Sequence, residues 1–138
     1  MKLLLNFLIF LLTVLCSEYC TAGGMCIRDY DSSTHRYVYF QVDIMPEYPG
    51  GIQEYFIGNF KYPPHQEVFQ SKIVVDVIVE MDGKLSDLKI HGKKKQEYSE
   101  VERETIRLMS KMPKWTAGTC KGRQVPVKIT FPLIFEPG

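Results

Sequence analysis

The clearest alternation of apolar and polar positions lies between Lys72 and Met81. Every second residue from Ile73 onward is apolar, whereas Lys72, Asp76 and Glu80 fall on the opposite side. This period of two predicts a strand whose sheet is buried on one face only.

A hairpin turn follows directly. Asp82-Gly83 is a dipeptide that supplies positive backbone angles to a two-residue turn. The segment from Leu85 to His91 is predicted to return as the second strand, with Leu88 and Ile90 facing inward.

Two segments have helical rather than alternating spacing. Ile52, Phe56 and Phe60 recur at intervals of four, which predicts a short helix that ends before the prolines that follow Tyr62. A second helix is predicted from Glu100 to about Lys111. Its start carries a capping box, in which Ser99 is followed by Glu102, and its end is set by Pro113.

The last strand is predicted from Val125 to Phe135, where alternate positions are apolar. Pro126 and Pro132 lie six positions apart, an even interval, so the N–H groups that they lack fall on the same side of the strand. A strand paired on both sides would lose ladder hydrogen bonds there, which predicts an edge strand. Its exposed side would offer the N–H and C=O groups of Lys128 and Thr130.

This order of elements predicts an α+β domain: a three-stranded antiparallel sheet with two helices packed on one face. We assign the domain to residues 41–138. Residues 23–40 are polar and show neither a helical nor an alternating pattern, so they are predicted to be a flexible arm.

The chain begins with Met1-Lys2 and an apolar run from Leu3 to Leu15. A membrane-spanning helix needs about 20 apolar residues, so this shorter run indicates an export signal. Small residues up to Ala22 favour cleavage there, which makes residues 1–22 a signal peptide. A retained membrane anchor and lipidation at Cys16 are the alternatives, and all three place the domain outside the cytoplasm.

Charge and composition narrow the classes of function. The 138 residues include 17 Lys and Arg against 16 Asp and Glu, a net charge of +1. No overall field exists to attract a polyanion, which disfavours nucleic acid as a partner. A hydrophobic fraction of 45% is typical of a globular domain with a packed core.

Export would place the cysteines in an oxidising compartment. Removal of residues 1–22 leaves Cys26 and Cys120, which could form one disulfide between the arm and a late loop or remain two thiols. The cysteines and histidines show no close pair repeated at the spacing of a zinc site, so no metal is expected.

The sequence carries no catalytic signature: no Gly-x-Ser-x-Gly, no His-Glu-x-x-His and no glycine-rich phosphate loop. His65 and His91 are expected at exposed loop or strand ends, Asp82 in a turn and Glu47 as a loop charge. We therefore expect a protein that is not an enzyme and needs no cofactor.

From about Gln41 to Glu136 the chain resembles the C-terminal domain of TonB energy transducers, in the form common in Bacteroidetes. The resemblance rests on ordered motifs: PEYPGG, KYP, the strand that ends in DG, MPKW and the terminal VPVKITFP. The motif positions are Pro46, Pro49, Gly50, Gly51, Tyr62, Pro63, Asp82, Gly83, Pro113 and Trp115.

The resemblance implies a domain that binds the N-terminal box peptide of outer-membrane TonB-dependent transporters and transmits inner-membrane proton-motive energy to them. In that family the peptide adds a strand to the edge formed by the last strand. The residues thereby assigned to partner binding are Val127, Lys128, Ile129, Thr130 and Phe131. A retained N-terminal helix would also contact inner-membrane motor proteins.

Two classes of function stay open at this point. The first is a module that binds a transporter's extended peptide by strand addition. The second is an envelope assembly role, in which the same edge pairs with another copy, as a homodimer, or with a different envelope protein. A TonB-like decoy that binds box peptides without transmitting force is a third hypothesis.

Overall fold

The computed structural model describes residues 24–64 and 71–135, so the predicted signal peptide lies outside the described residues. The helices are α1 (Ile52–Asn59) and α2 (Glu100–Ser110), with a short 3-10 turn at Lys95–Glu97. The strands are β1 (Ile27–Asp31), β2 (Arg36–Gln41), β3 (Ser71–Val79), β4 (Leu85–Ile90), β5 (Thr119–Cys120), β6 (Arg123–Gln124) and β7 (Val127–Phe135). No helix of the described ranges is long and apolar enough to cross a membrane.

Five strands form one mixed sheet in the order β1-β2-β7-β3-β4, and β5 pairs with β6 in a separate two-stranded sheet. Within the larger sheet β2 and β7 run parallel, whereas the other neighbours are antiparallel. The α+β class and the two helices are confirmed. The prediction of three antiparallel strands is wrong, because β1 and β2 extend the sheet beyond β7.

These two strands form a hairpin from residues that were predicted to be a flexible arm. Within β2 the side chain of Val38 is fully buried, whereas its neighbours Tyr37 and Tyr39 lie on the other side and are more exposed. Only six residues carry this alternation, which is too short a stretch to stand out against the polar residues around it. The folded domain therefore begins near Ile27 rather than at Gln41.

The turn between β1 and β2 is built on Asp31. Its Oδ2 accepts hydrogen bonds from the Thr34 amide at 2.9 Å and from the Ser33 hydroxyl at 2.7 Å. A carboxylate that binds the backbone a few residues on is a common way to close a turn. The polar run that indicated a flexible arm is thus the turn of a hairpin.

The main core lies between the sheet and the two helices. β3 pairs with β7 over its whole length and with β4 on its other side. Alternate residues of β3 and β7 face α1 and α2, as the periodicity predicts. The buried core cluster contains Phe56, Ile73, Val75, Val77, Ile90, Tyr98, Leu108, Met109, Leu133 and Phe135.

The opposite face of β3 is also covered, so the prediction of a sheet buried on one face is wrong here. Ile78 is fully buried and Asp76 is 8% exposed. The turn of the β1–β2 hairpin lies against this face, where Arg36 pairs with Glu80. A segment far away in the chain therefore buries a face that the local pattern marks as solvent-exposed.

The helix α2 begins as predicted. The Ser99 hydroxyl accepts the Glu102 amide at 3.2 Å, and the Glu102 carboxylate accepts the Ser99 amide at 2.8 Å. The capping box is confirmed, and a hydrogen bond of 2.6 Å from Lys93 Nζ holds the same Glu102 carboxylate.

The β3–β4 turn differs from the predicted one. Gly83 has a φ of +81°, but Asp82 is not among the residues with positive φ. The Gly83 amide donates to Glu80 C=O at 2.9 Å, and the Asp82 carboxylate accepts the Lys84 amide at 3.0 Å. The Asp82 carboxylate closes the turn by binding the amide of Lys84. The turn therefore has one residue with positive φ, Gly83, whereas the predicted turn has two.

Candidate peptide-binding edge

The two sides of β7 have different partners. The side that faces β3 is paired from Ser71↔Phe135 to Val79↔Val127. On the other side, the Pro126 carbonyl accepts the Tyr39 amide at 2.9 Å. Because successive strand residues direct their polar groups to opposite sides, the even-numbered residues of β7 direct theirs away from β3. We call this the outer side of β7.

The outer side is paired only at its start. The register between β2 and β7 consists of the single pair Tyr39↔Val127, after which β2 ends at Gln41. The chain then leaves the sheet, and Ile44 forms an isolated bridge with Thr119. Within residues 24–64 and 71–135, no strand pairs with β7 on this side beyond Val127.

The far end of the outer side is closed by a side chain. Gln53 Nε2, on α1, donates to Ile134 C=O at 2.9 Å. Between Lys128 and Ile134, the outer side carries Thr130, with an N–H and a C=O, and Pro132, with a C=O alone. Thr130 and Pro132 are exposed, so this short stretch of backbone is accessible to another strand.

The outer side of β7, which was predicted to be open along its length, is therefore open only in part. Val127 is fully buried and paired with Tyr39, and the Lys128 side chain is only 18% exposed because it forms an ion pair with Asp31. The prediction that the whole segment Val127 to Phe131 is open is wrong at its first two residues. The side on which the prolines lie agrees with the sequence argument, since Pro126 and Pro132 both belong to the outer side.

The side chains of Phe131 and Ile129, which the family resemblance also assigned to partner binding, lie on the face of the sheet that meets the core. Both pack against the core below the sheet, and the Phe131 ring lies 6.1 Å from the Trp115 ring. They would support the backbone of β7 rather than contact a strand added at its outer side.

A polar cluster fixes the side chain of Thr130. Its hydroxyl donates to Asp76 Oδ1 at 2.5 Å, and His91 Nδ1 lies 2.9 Å from Asp76 Oδ2. The Asp76 carboxylate thus lies between the Thr130 hydroxyl and the His91 imidazole. The hydroxyl and the imidazole do not form the direct hydrogen bond by which a base activates a nucleophile. The cluster orients Thr130 and leaves its backbone groups free.

Several motif residues converge under β7. The Trp115 amide donates to Gly83 C=O at 2.8 Å, and the Tyr48 ring lies 5.8 Å from the Trp115 ring. Trp115 is 8% exposed. The PEYPGG, DG and MPKW motifs are therefore far apart in sequence but join in one packing cluster beneath Phe131.

The remaining motif residues lie around this cluster or at the ends of elements. Pro46 packs near Gly118, Gly51 starts α1 with a φ of +83°, and Pro113 follows the end of α2. Pro49 and Gly50 form the turn before α1. Tyr62 is 65% exposed and its ring contacts Phe60, next to Pro63.

The β1–β2 hairpin is held at its turn by ion pairs. Asp31, 6% exposed, binds Lys128, and Arg36 binds Glu80. Burial opposes ionisation of Asp31, but hydrogen bonds from Lys128, Thr34 and Ser33 outweigh it and hold the pKa of Asp31 well below its usual range.

Stability should consequently fall in acid. Because the pKa of Asp31 is lower in the folded than in the unfolded chain, its ionised form stabilises the fold above about pH 4. This contribution is lost as the pH falls below that value. Urea unfolding from about pH 7 to pH 3 should show a smaller acid loss for Asp31→Asn than for the wild type. An equal loss in both proteins would contradict the assignment to Asp31.

The base of the hairpin is held covalently. Cys26 and Cys120 form a disulfide with a Cα–Cα distance of 6.1 Å across a sequence separation of 94. Next to it, Asp43 Oδ2 accepts the Lys121 amide at 2.6 Å. Lys121 and Gly122, with φ of +50° and +75°, form the tight turn between β5 and β6. The residues that flank the β1–β2 hairpin, Cys26 before it and Asp43 after it, are thus both bound to the β5–β6 turn.

The two terminal strands of the sheet are less accessible to an added strand. On β1, the Tyr30 amide donates to the Asp29 carboxylate at 2.7 Å. On β4, Asp87 has a φ of +48° where the register with β3 shifts, and the Ile90 amide donates to the Tyr98 hydroxyl at 2.9 Å. Side chains that occupy outer amides are a known protection of sheet edges.

The sequence argument missed the contribution of β2, Gln53 and Asp31 to this site. The alternation in Arg36–Gln41 and the turn residues before it were the available signal for the hairpin. No local signal indicates that Gln53 binds Ile134 or that Asp31 binds Lys128, since both contacts depend on the packed fold.

Comparisons of the chain with protein-family models, with curated proteins and with solved structures found no match in any of the three.

Proposed function

We propose that this chain is a TonB-like protein-binding module of the periplasm, which pairs the outer side of β7 with the box peptide of an outer-membrane TonB-dependent transporter. Such pairing would link the module to energy-dependent transport across the outer membrane. The domain binds by main-chain hydrogen bonds to an extended peptide, the mode known as strand addition.

One observation carries the proposal: the outer side of β7 is open between Lys128 and Ile134, although the strand lies within a sheet. Thr130 supplies one donor and one acceptor there, and the carbonyl of Pro132 supplies another acceptor. Proline removes a donor, which limits pairing to a short peptide and disfavours a long sheet-to-sheet contact.

The terminal strands support the same choice of site. The outer amides of Tyr30 on β1 and Ile90 on β4 are already bound to Asp29 and Tyr98. A peptide or a second copy would have to displace these contacts, whereas the Thr130 backbone needs no displacement. Assembly through the ends of the sheet is therefore less favourable than peptide pairing at β7.

The disulfide supports the proposed compartment. Cys26 and Cys120 are bonded, and disulfides persist in oxidising compartments such as the periplasm. Export by the N-terminal apolar run would deliver the chain there.

A titration of the protein, labelled with ¹⁵N, by box peptides from transporters of the same organism tests the proposal. Saturable amide shifts centred on Lys128 to Ile134 are the expected result. If none of the peptides shifts these amides while the spectrum remains that of a folded protein, the proposal is wrong and an assembly role for this edge becomes the better hypothesis.

Thr130→Pro should weaken peptide binding, because it removes the one N–H of the open stretch. The substitution also removes the hydroxyl bond to Asp76, so Thr130→Val is the matched control that keeps the N–H and loses only the hydroxyl. We expect Thr130→Val to retain most of the affinity and Thr130→Pro to lose at least about tenfold, the equivalent of one hydrogen bond of about 1.4 kcal/mol. Equal affinities of the two variants would contradict a backbone contact at Thr130.

A further inference from the structure

The β1–β2 hairpin is separable from the main core. None of the ten buried residues of the core cluster belongs to it; all lie between Phe56 and Phe135. Its backbone joins β7 through the single pair Tyr39↔Val127, whereas β3 pairs with β7 over the full length of both strands. The hairpin could leave β7 without opening the packing between the helices and the sheet.

Besides the buried side chain of Val38 in β2, polar and covalent contacts hold the hairpin. At its turn, the ion pairs Asp31–Lys128 and Arg36–Glu80 bind it to β7 and β3. At its base, β1 is joined to the rest of the domain by the disulfide from Cys26 to Cys120. Without this bond, the start of β1 would be held only through β2 and through polar contacts.

The hairpin covers the part of β7 that adjoins the open stretch. Tyr39 occupies the Pro126 carbonyl, and the geometry of a parallel pair directs the Lys128 amide to the Tyr39 carbonyl. The Asp31 carboxylate forms an ion pair with the Lys128 ammonium group. If the hairpin left, the outer side of β7 would gain the Lys128 N–H as a second donor beside that of Thr130.

We propose that the hairpin is a disulfide-held cover of the peptide-binding edge, and that reduction of Cys26–Cys120 uncovers the first half of the outer side of β7. This inference rests on the proposed function, because it describes how access to the same peptide-binding site is regulated. The released state pairs with a longer peptide than the oxidised state does.

The chemistry is a thiol–disulfide exchange with a dithiol. A thiolate of the dithiol attacks one sulfur of the Cys26–Cys120 bond, forms a mixed disulfide and releases the other cysteine as a thiolate. The second thiol of the reagent then attacks the mixed disulfide and releases the remaining cysteine. Two electrons pass to the protein, which gains two thiols with protons from the dithiol, and the dithiol becomes a disulfide.

Amide hydrogen exchange on the whole protein, with and without dithiothreitol as the dithiol, tests the cover directly. The amides of Tyr39 and Lys128 report the β2–β7 contact, and the amide of Ile129 reports the β3–β7 ladder. We expect reduction to accelerate exchange at Tyr39 and Lys128 at least tenfold and to leave Ile129 unchanged. The double variant Cys26→Ser/Cys120→Ser should exchange like the reduced protein and should not respond to dithiothreitol.

Two results would overturn the proposal. In the first, Tyr39 and Lys128 stay as protected after reduction as before, so the ion pairs alone hold the hairpin. In the second, Ile129 loses protection together with them, so the disulfide holds the whole domain rather than a cover.

The experiment needs no peptide, so its outcome is separate from that of the proposed function. A box-peptide titration of the reduced protein then completes it: shifts should extend to Lys128 and Val127, and the affinity should rise at least tenfold. If the hairpin is released but no peptide binds, the proposed function is wrong and the proposed role of the hairpin as a cover stands. If peptide binds but the hairpin is not released, the proposed function stands and the role as a cover is wrong.

Discussion

Gly83→Ala is expected to lower the free energy of unfolding by about 2–5 kcal/mol. Gly83 has a φ of +81°, a conformation that costs an L-residue about 1–2 kcal/mol. A Cβ at this position would lie 2.0 Å from the Trp115 carbonyl oxygen. The Trp115 amide is bound to Gly83 C=O at 2.8 Å, so the two segments cannot separate without loss of that bond. Overpacking of this kind adds about 1–3 kcal/mol.

Gly92→Ala is the matched control. Gly92 has a similar φ of +71°, but nothing lies within 4 Å of the Cβ that alanine would add. Its cost should be the conformational one alone, about 1–2 kcal/mol. Urea unfolding of both variants measures the difference. Equal losses would mean that the DG and MPKW segments do not meet as closely as the structure has them, and that the motif cluster does not set the position of Trp115.

Leu133→Ala is expected to cost about 2–5 kcal/mol. Leu133 is 1% exposed, lies in β7 at the centre of the sheet and belongs to the main core cluster. Truncation would remove buried apolar surface and leave a cavity between the sheet and the helices.

Ile134→Ala, one residue on, provides its control. Ile134 is 48% exposed and points to the opposite face of β7, so its truncation should change stability by less than about 0.5 kcal/mol. The free energies of unfolding of both variants, measured in urea, check the orientation of the strand. A larger loss for Ile134→Ala than for Leu133→Ala would mean that β7 is inverted by one residue relative to its neighbours, which would also move Thr130 away from the outer side.

Local patterns were sufficient for the elements whose hydrophobic face and partner lie close together in the sequence. The alternation in β3, the turn at Gly83 and the return of β4 form one continuous hairpin, and α2 carries its own capping box. In each of these elements, the residues that determine the structure are neighbours in the chain.

The rest depended on contacts between distant segments. The pair Tyr39↔Val127 and the ion pair Asp31–Lys128 join residues about 90 to 100 positions apart, and nothing in either local sequence specifies the other. Pro126, just before β7, and Pro132, within it, correctly indicated a side of the strand with few hydrogen bonds. They could not indicate that the Pro126 carbonyl would accept a hydrogen bond from β2. A proline lacks the N–H donor, but its carbonyl remains an acceptor.

The polar positions of β3 show the same limit. Asp76 was expected on a solvated face, and it is nearly buried because Thr130 and His91 satisfy its carboxylate. A polar residue at an alternate position of a strand therefore predicts the side on which it lies, but not whether that side meets water.

The place of β7 in the sheet has a consequence for the order in which the chain folds. β1 pairs with β2 and β3 pairs with β4, each across a short turn, whereas β7 alone joins the two hairpins. Non-local pairing of this kind is slow because the intervening loop must first be closed. Until residues 127–135 have been synthesised, the emerging chain therefore holds two hairpins that share no strand.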